Sequence, residues 1–336
     1  MINRELIRIK IVQLTYAYYQ NGSRNIDNAE KELAFSLSKA YDLYLSLLAL
    51  IVAITREERR RAEALARTSP GSQPAESAAR FAYNKFAMQL EENKQLAEFT
   101  SRQKLTWEDN IEFVRKTCNQ IEQSQIYQDY LSSPGDTYDG DRELWRKLYK
   151  ALITDNDDLS ALLEDWSLYW NDDKDIVDTF VLKTIKRFEE KNKASQPLLP
   201  EYKDEEDKDF ARRLFRATIL NADQYHRCMS ETSRNWDFSR LAYMDVIIMQ
   251  IAMAEMMTFP NIPLSVTINE YVELAKAYST PKSYGYVNGM LDAIARHLID
   301  TGRLAKAIEP QKPATEPGGQ AAEEGHEEED TNNQQR

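Results

Sequence analysis

From Ile2 to Gln20 the chain has no helix breaker, and Asn21, Gly22 and Ser23 then stop the run. At about 100° per residue, Ile7, Ile11, Leu14 and Tyr18 fall on one stripe, and Ile9, Val12 and Tyr16 on another across the helix. A helix with two apolar faces packs between two layers. Its polar residues are then confined to the margins, Arg4, Arg8 and Thr15 on one and Lys10 and Gln13 on the other, so the pattern predicts side chains displayed along two narrow, rigid edges.

Helical patterning continues over about 28–67, breaks at the cluster from Thr68 to Pro74, and resumes as one block over about 75–130. The stretch 142–193 is helical again, interrupted by acidic turns at 155–158 and 172–175, and a linker through Pro197, Pro200 and Asp204 follows. From Phe210 onward the pattern predicts closely spaced helices over 210–228, 237–257, 264–278 and about 283–298, with Pro260 and Pro263 forcing one turn and Gly302 placed as a final stop. Gly289 inside the last helix costs about 1 kcal/mol of propensity, so a close approach by a neighbouring helix is expected there. After Leu304 the apolar periodicity ends and a disordered tail is expected. Arg146 to Ala151 and Arg212 to Ala217 read alike, at the same offset as Trp170 and Trp236. Either a duplicated helical unit or two ordinary amphipathic helices would give this match.

Composition supports the helical reading. Glycine (10) and proline (11) each make up roughly 3% of the 336 residues, below the usual 7% and 5% or so, which disfavours sandwiches and barrels. The N-terminus mixes charge into its apolar residues and does not read as a signal peptide, and the uncharged stretch 43–55 is shorter than the roughly 20 residues of a spanning helix. Cys118 and Cys228, far apart and without ligand spacing, read as reduced thiols of a cytoplasmic protein. The formal charge of −12 argues against a nucleic-acid partner until its distribution is considered. Residues 1–24 carry Arg4, Arg8, Lys10 and Arg24 against Glu5 alone, while half of the net negative charge falls after residue 304.

Catalytic signatures are missing: no GxGxxG, GxxxxGK[ST], HExxH or GxSxG occurs. The acidic loop 136–141 puts Gly135 and Arg146 where a calcium loop needs its first and last ligands, and His226, His297 and His326 lie in separate segments. No enzyme activity, metal or cofactor is expected. Binding chemistry is better represented. Arg4 and Arg8, one turn apart, could grip consecutive phosphates or form a plain solvated face. Lys282, Tyr284 and Tyr286 at a loop-to-helix junction suit single-stranded RNA, with an amine for phosphate and a ring for a base, although a tyrosine there could equally close the core. Arg56 to Arg61 is more basic but interleaved with Glu57 and Glu58, and reads as a salt-bridged exposed helix.

The residues Ile262-Pro263-Leu264-Ser265-Val266-Thr267-Ile268-Asn269-Glu270, continuing through Val272-Glu273-Leu274-Ala275-Lys276 to Tyr286-Val287-Asn288-Gly289-Met290-Leu291-Asp292, closely resemble the NusB family of bacterial transcription antitermination factors. The helix Asp245 to Glu255 and the N-terminal Arg8 to Tyr16, with Val12-Gln13, are similar to two further family motifs. The resemblance covers roughly 1–25 and 205–300. The helical expansion at 26–204, with its possible duplicate at 142–193, resembles the long, Bacteroidetes-type form, and the tail occupies 305–336.

The resemblance implies an all-α fold of two small helical bundles sharing the N-terminal helix. It implies binding of boxA-type single-stranded RNA from ribosomal RNA leader transcripts together with ribosomal protein NusE, in a complex that makes RNA polymerase resist termination. The family's RNA contacts fall on Arg4, Arg8 and Tyr286, with Lys282 at a nearby position that is acidic in the family, and Glu255 is the candidate partner contact. Gln250 stands where the family has arginine. The rivals are a helical scaffold without RNA contact and an enzyme, since similar domains occur fused to ribosomal RNA methyltransferases. No glycine-rich motif for a methyl donor supports the latter.

Overall fold

Asn3 opens the first helix, α1 (Arg4–Gln20), by accepting the Leu6 N–H at 3.0 Å on its side chain, and Gly22 closes the turn after it at φ 61°. The computed structural model describes residues 1–22, 25–133, 137–170, 172–232 and 241–305. Arg24, Trp236 and the acidic tail from 306 onward lie outside the described residues. No strand occurs among the described residues; one isolated parallel bridge pairs Ile2 with Tyr202. The fold is all-α, as the pattern predicts.

A single helix of 43 residues, α2 (Ile26–Thr68), follows, and at about 1.5 Å per residue it is roughly 65 Å long. One 18-residue window of it, with mean hydropathy 1.7, is apolar enough to cross a membrane, but 67% of that window is buried inside the protein. It therefore serves as a core helix. Its first turns pack with α1, and its later turns carry the expansion.

The block expected over 75–130 is divided into five helices: α3 (Gln73–Ala82), α4 (Lys85–Glu91), α5 (Lys94–Arg102), α6 (Ile111–Gln123) and α7 (Gln125–Ser132). Asn84 and Asn93 cause two of the breaks. Each caps the following helix and also donates to a distant carbonyl, Asn84 to Asp141 at 3.2 Å and Asn93 to Gln196 at 2.7 Å, so each fully buried side chain is hydrogen-bonded at both its oxygen and its nitrogen. The acidic turns lie near the starts of α9 (Asp157–Trp166) and α10 (Lys174–Arg187), which follow α8 (Tyr138–Leu148) and a π-helical turn at 149–153.

The C-terminal unit comprises α11 (Glu205–Leu220), α12 (Ala222–Thr232), α13 (Tyr243–Thr258), α14 (Leu264–Tyr278) and α15 (Ser283–Asp300). The single helix expected over 210–228 is split at Asn221, and α14 has the predicted bounds. Buried nearly all round, α13 is the hub of this unit and packs against α1, α11, α12, α14 and α15. Ile7, Ile11 and Val12 of α1 join a single apolar core that runs through both the C-terminal unit and the expansion.

One expectation needs correction, and the two similar segments can be compared. A Cβ at Gly289 meets nothing within 4 Å, so the glycine faces open space rather than a neighbouring helix. The similar segments are also built differently: 146–151 runs from α8 into the π-helical turn, whereas 212–217 lies within unbroken α11, and Glu189 lies beyond α10 while Glu255 is inside α13. Trp236, the other half of that comparison, lies outside the described residues.

Candidate nucleic-acid interface

The cations of α1 are placed by carboxylates that arrive from distant parts of the chain. Arg4, 33% exposed at its side chain, reaches Glu206 Oε1 at 2.5 Å and Asp207 Oδ1 at 3.2 Å in the first turn of α11, and lies 5.0 Å over the Phe210 ring. Its more exposed partner, Glu206, is readily displaced because a solvated ion pair contributes little.

Arg8 is different. Its guanidinium is buried, forks onto both oxygens of Glu255 at 2.8 and 2.9 Å, and sends its third nitrogen to Glu270 at 3.0 Å. Burial alone would lower the arginine's pKa, and the Glu255 carboxylate reverses this to a net rise. Glu255 is 0% exposed and also accepts from Thr267 and Tyr271, at 2.9 and 3.0 Å. Arg8 and Glu255, expected as phosphate and partner contacts, are both buried, hold each other and fasten α1 to α13 and α14.

The opposite edge of α1 is also occupied. Lys10, expected on display, is buried on Asp173 at 2.7 Å and the Tyr169 carbonyl at 2.9 Å, and Gln13 donates to Asp172 at 2.8 Å. The acidic turn of the expansion thus docks onto α1. Burial, opposed by Lys10, pushes the Asp173 carboxyl up to about 6. Between α1, α10 and α14 lies a groove of about 750 Å³ whose lining includes Glu5, Asp172, Asp175, Glu270 and Glu273. Such a wall repels phosphate, so a nucleic-acid strand must follow another path.

The junction before α15 offers one. Lys282 is exposed, and the Tyr284 ring is 46% exposed with Lys276 Nζ 5.7 Å from its centroid. Tyr286 packs partly against the core, and burial followed by the nearby Asp245 charge pushes its hydroxyl up to about 12. Tyr284 is the freer stacking surface and Tyr286 the ring that closes the core. Gly285 and Gly289 leave the intervening face of α15 open to close backbone approach. A second exposed pair, Tyr16 and Tyr243, meets edge to face at 5.9 Å near the C-terminal end of α1. Periodicity had assigned Tyr16 to an apolar stripe; its place at the end of the helix, where packing runs out, is the signal that was missed. Arg8, one turn from Arg4, pairs with Glu255 toward the end of α13, whereas the Lys282–Tyr286 junction lies beside Asp245 in the first turn of α13, on the order of 15 Å away along that helix, so the structure does not gather Arg4 with Lys282 and Tyr286 into one compact site. In the expansion, Arg60 and Arg61 pair with Glu57 and Glu58 as expected, but those two glutamates are buried rather than solvated.

These features are those of an all-helical protein whose junction before α15 exposes an amine, a ring and open backbone. Comparison with known proteins makes the class specific. The NusB family model matches residues 179–296. The transcription antitermination protein NusB of Salinibacter ruber is 37% identical over 108 residues, covering 32% of this chain and 68% of that protein. The protein of the same name from Geotalea daltonii is 34% identical over 134 residues, covering 40% of this chain and 90% of its own length. That of Natranaerobius thermophilus is 42% identical over 81 residues, covering 24% and 58%. No solved structure matches the chain. The chain belongs to the NusB family, whose members are transcription antitermination proteins.

Proposed function

We propose that this protein is a cytoplasmic, non-enzymatic transcription antitermination factor. In this reading it binds boxA-type single-stranded RNA of ribosomal RNA leader transcripts, works together with ribosomal protein NusE, and joins the RNA polymerase antitermination complex. It requires neither a cofactor nor a membrane. The observation that carries the RNA reading is the exposed Lys282–Tyr284 pair on the rigid start of α15, inside the stretch matched by the family model. Lys282 holds a phosphate and Tyr284 stacks a base, while Tyr286 packs partly against the core and seats the start of α15. Arg4 supplies a further phosphate contact by exchanging Glu206 for RNA.

A scaffold without RNA contact is the second reading, favoured by the internal pairing of Arg4, Arg8 and Lys10. Titration of a labelled boxA-type oligonucleotide over a range of salt, with and without NusE, separates the two. Salt-dependent binding that weakens on Lys282→Ala supports RNA recognition. Absence of binding in both arms, with NusE still captured, establishes the scaffold.

A further inference from the structure

The connection between α14 and α15 is only a few residues long, yet it carries Lys282 and aims the first turn of α15. One buried carboxylate holds both of its ends. Asp245, 4% exposed in the first turn of α13, accepts from Ser279 Oγ at 2.5 Å and from Ser283 Oγ at 2.8 Å. Ser279 is the residue that ends α14 and Ser283 the residue that begins α15. The two hydroxyls also approach each other at 3.1 Å, and Thr280 meets Ser283 at 2.8 Å.

The burial of this charge has a physical basis. Asp245 lies in the first turn of a helix, where negative charge is favoured, and the N-cap residue Ala242 makes no side-chain cap. A carboxylate at this position usually caps its own helix. Here it reaches across to two neighbouring helices instead.

We propose that Asp245 is a positioning residue for RNA recognition: it clamps both ends of the 279–283 connection and so fixes where Lys282, Tyr284 and Tyr286 are presented. The inference rests on the RNA reading above. Without the clamp the connection is tied only by its backbone, and Lys282 and the two rings must be ordered on binding, which weakens affinity without removing any contact.

The test is a double-mutant cycle on the full chain, read by anisotropy of a labelled boxA-type single-stranded RNA. Asp245→Ala is expected to weaken binding about tenfold in the otherwise unmodified protein and to have no further effect in a Lys282→Ala/Tyr284→Ala background. Asp245→Asn, whose amide can accept from one serine and donate to the other, is expected to stay within about twofold. The same loss from Asp245→Ala in both backgrounds would make the residue a general stabiliser and overturn the proposal, as would a loss from Asp245→Asn equal to that from alanine. Amide exchange over 279–287, faster in Asp245→Ala and unchanged in Asp245→Asn, reports the clamp independently of RNA. If the unmodified chain binds no such RNA, with or without NusE, while exchange behaves as expected, the RNA reading has failed and the clamp is structural only.

Discussion

Replacing Arg8 by methionine removes the cation from a carboxylate that has no route to solvent. Glu255 is 0% exposed and takes two of its hydrogen bonds from Arg8, leaving only Thr267 and Tyr271 as donors. Breaking a buried pair by removing one partner costs about 3–5 kcal/mol, because the remaining charge is left in a poorly solvating interior. Arg4→Ala removes a pair with Glu206, whose side chain is 77% exposed, and one with Asp207, whose side chain is 11% exposed but stays at the edge of solvent beside a partly exposed arginine, and is expected to cost about 1 kcal/mol. Urea unfolding at neutral pH measures both losses. Arg8→Met/Glu255→Gln is expected to recover at least half of the Arg8→Met loss, since glutamine carries no charge and still accepts from Thr267. In RNA titrations the order reverses: Arg4→Ala lowers the salt slope by about one, and Arg8→Met leaves it unchanged. An Arg8→Met protein within about 1 kcal/mol of the unmodified chain, with a reduced salt slope, would refute the structural assignment and restore Arg8 as a phosphate contact.

Three further substitutions probe the rest of the molecule. Burial pushes buried Glu58 up from 4.5 to about 6, so the folded state holds its proton more tightly and stability falls as pH rises between those values. Glu58→Gln removes this cost, and its melting temperature should exceed that of the unmodified chain by roughly 4 °C at pH 7.5 and by almost nothing at pH 4. Lys193 adopts φ 46° and ψ −141°, a conformation that favours glycine, and Lys193→Gly should raise the unfolding free energy by about 1 kcal/mol in a urea titration. Gly289→Ala meets open space within a helix and should stabilise by about 0.5–1 kcal/mol in the same assay; a destabilised variant would mean that an unseen neighbour occupies that face.

Local periodicity revealed much of this fold because most elements are long and amphipathic. The bounds of α14 follow from apolar spacing alone, whereas in the second stripe of α1 only Val12 is fully buried, Ile9 being half-buried and Tyr16 exposed. The breaks at Asn84 and Asn93 were hidden because a polar residue in a helical pattern looks like an exposed position, and only the partners Asp141 and Gln196, distant in sequence, make these asparagines buried caps. The same limit applied to the site. Arg8 and Lys10 looked displayed because Glu255, Glu270 and Asp173, which neutralise them, come from far along the chain. Lys282, Tyr284 and Tyr286 can be proposed together from the sequence because they are neighbours along it. The clamp on their junction cannot, because Asp245 lies on another helix.

The course of α2 bears on how the expansion could have been acquired. Tyr41, about fifteen residues into α2, donates to the Leu199 carbonyl at 2.9 Å, and Tyr44 accepts the Leu199 N–H at 3.1 Å, while Ile2 N–H donates to the Glu201 carbonyl at 2.7 Å. The chain therefore departs from and returns to the N-terminal end of α1 at nearly one doorway. The first part of α2 runs back beside α1 and α11, with Arg216 bound to Asp27 and Glu30, and so belongs with the C-terminal unit. An excision that joined residue 44 to residue 198 would bridge only the reach of a tyrosine side chain and its hydrogen bond, on the order of 10 Å or about three extended residues. One that joined residue 25 to residue 204 would have to span the length of α1, about 25 Å and some eight extended residues. In design terms the chain leaves and re-enters this end of the molecule through a single port, and the port opens partway along α2 rather than at its start.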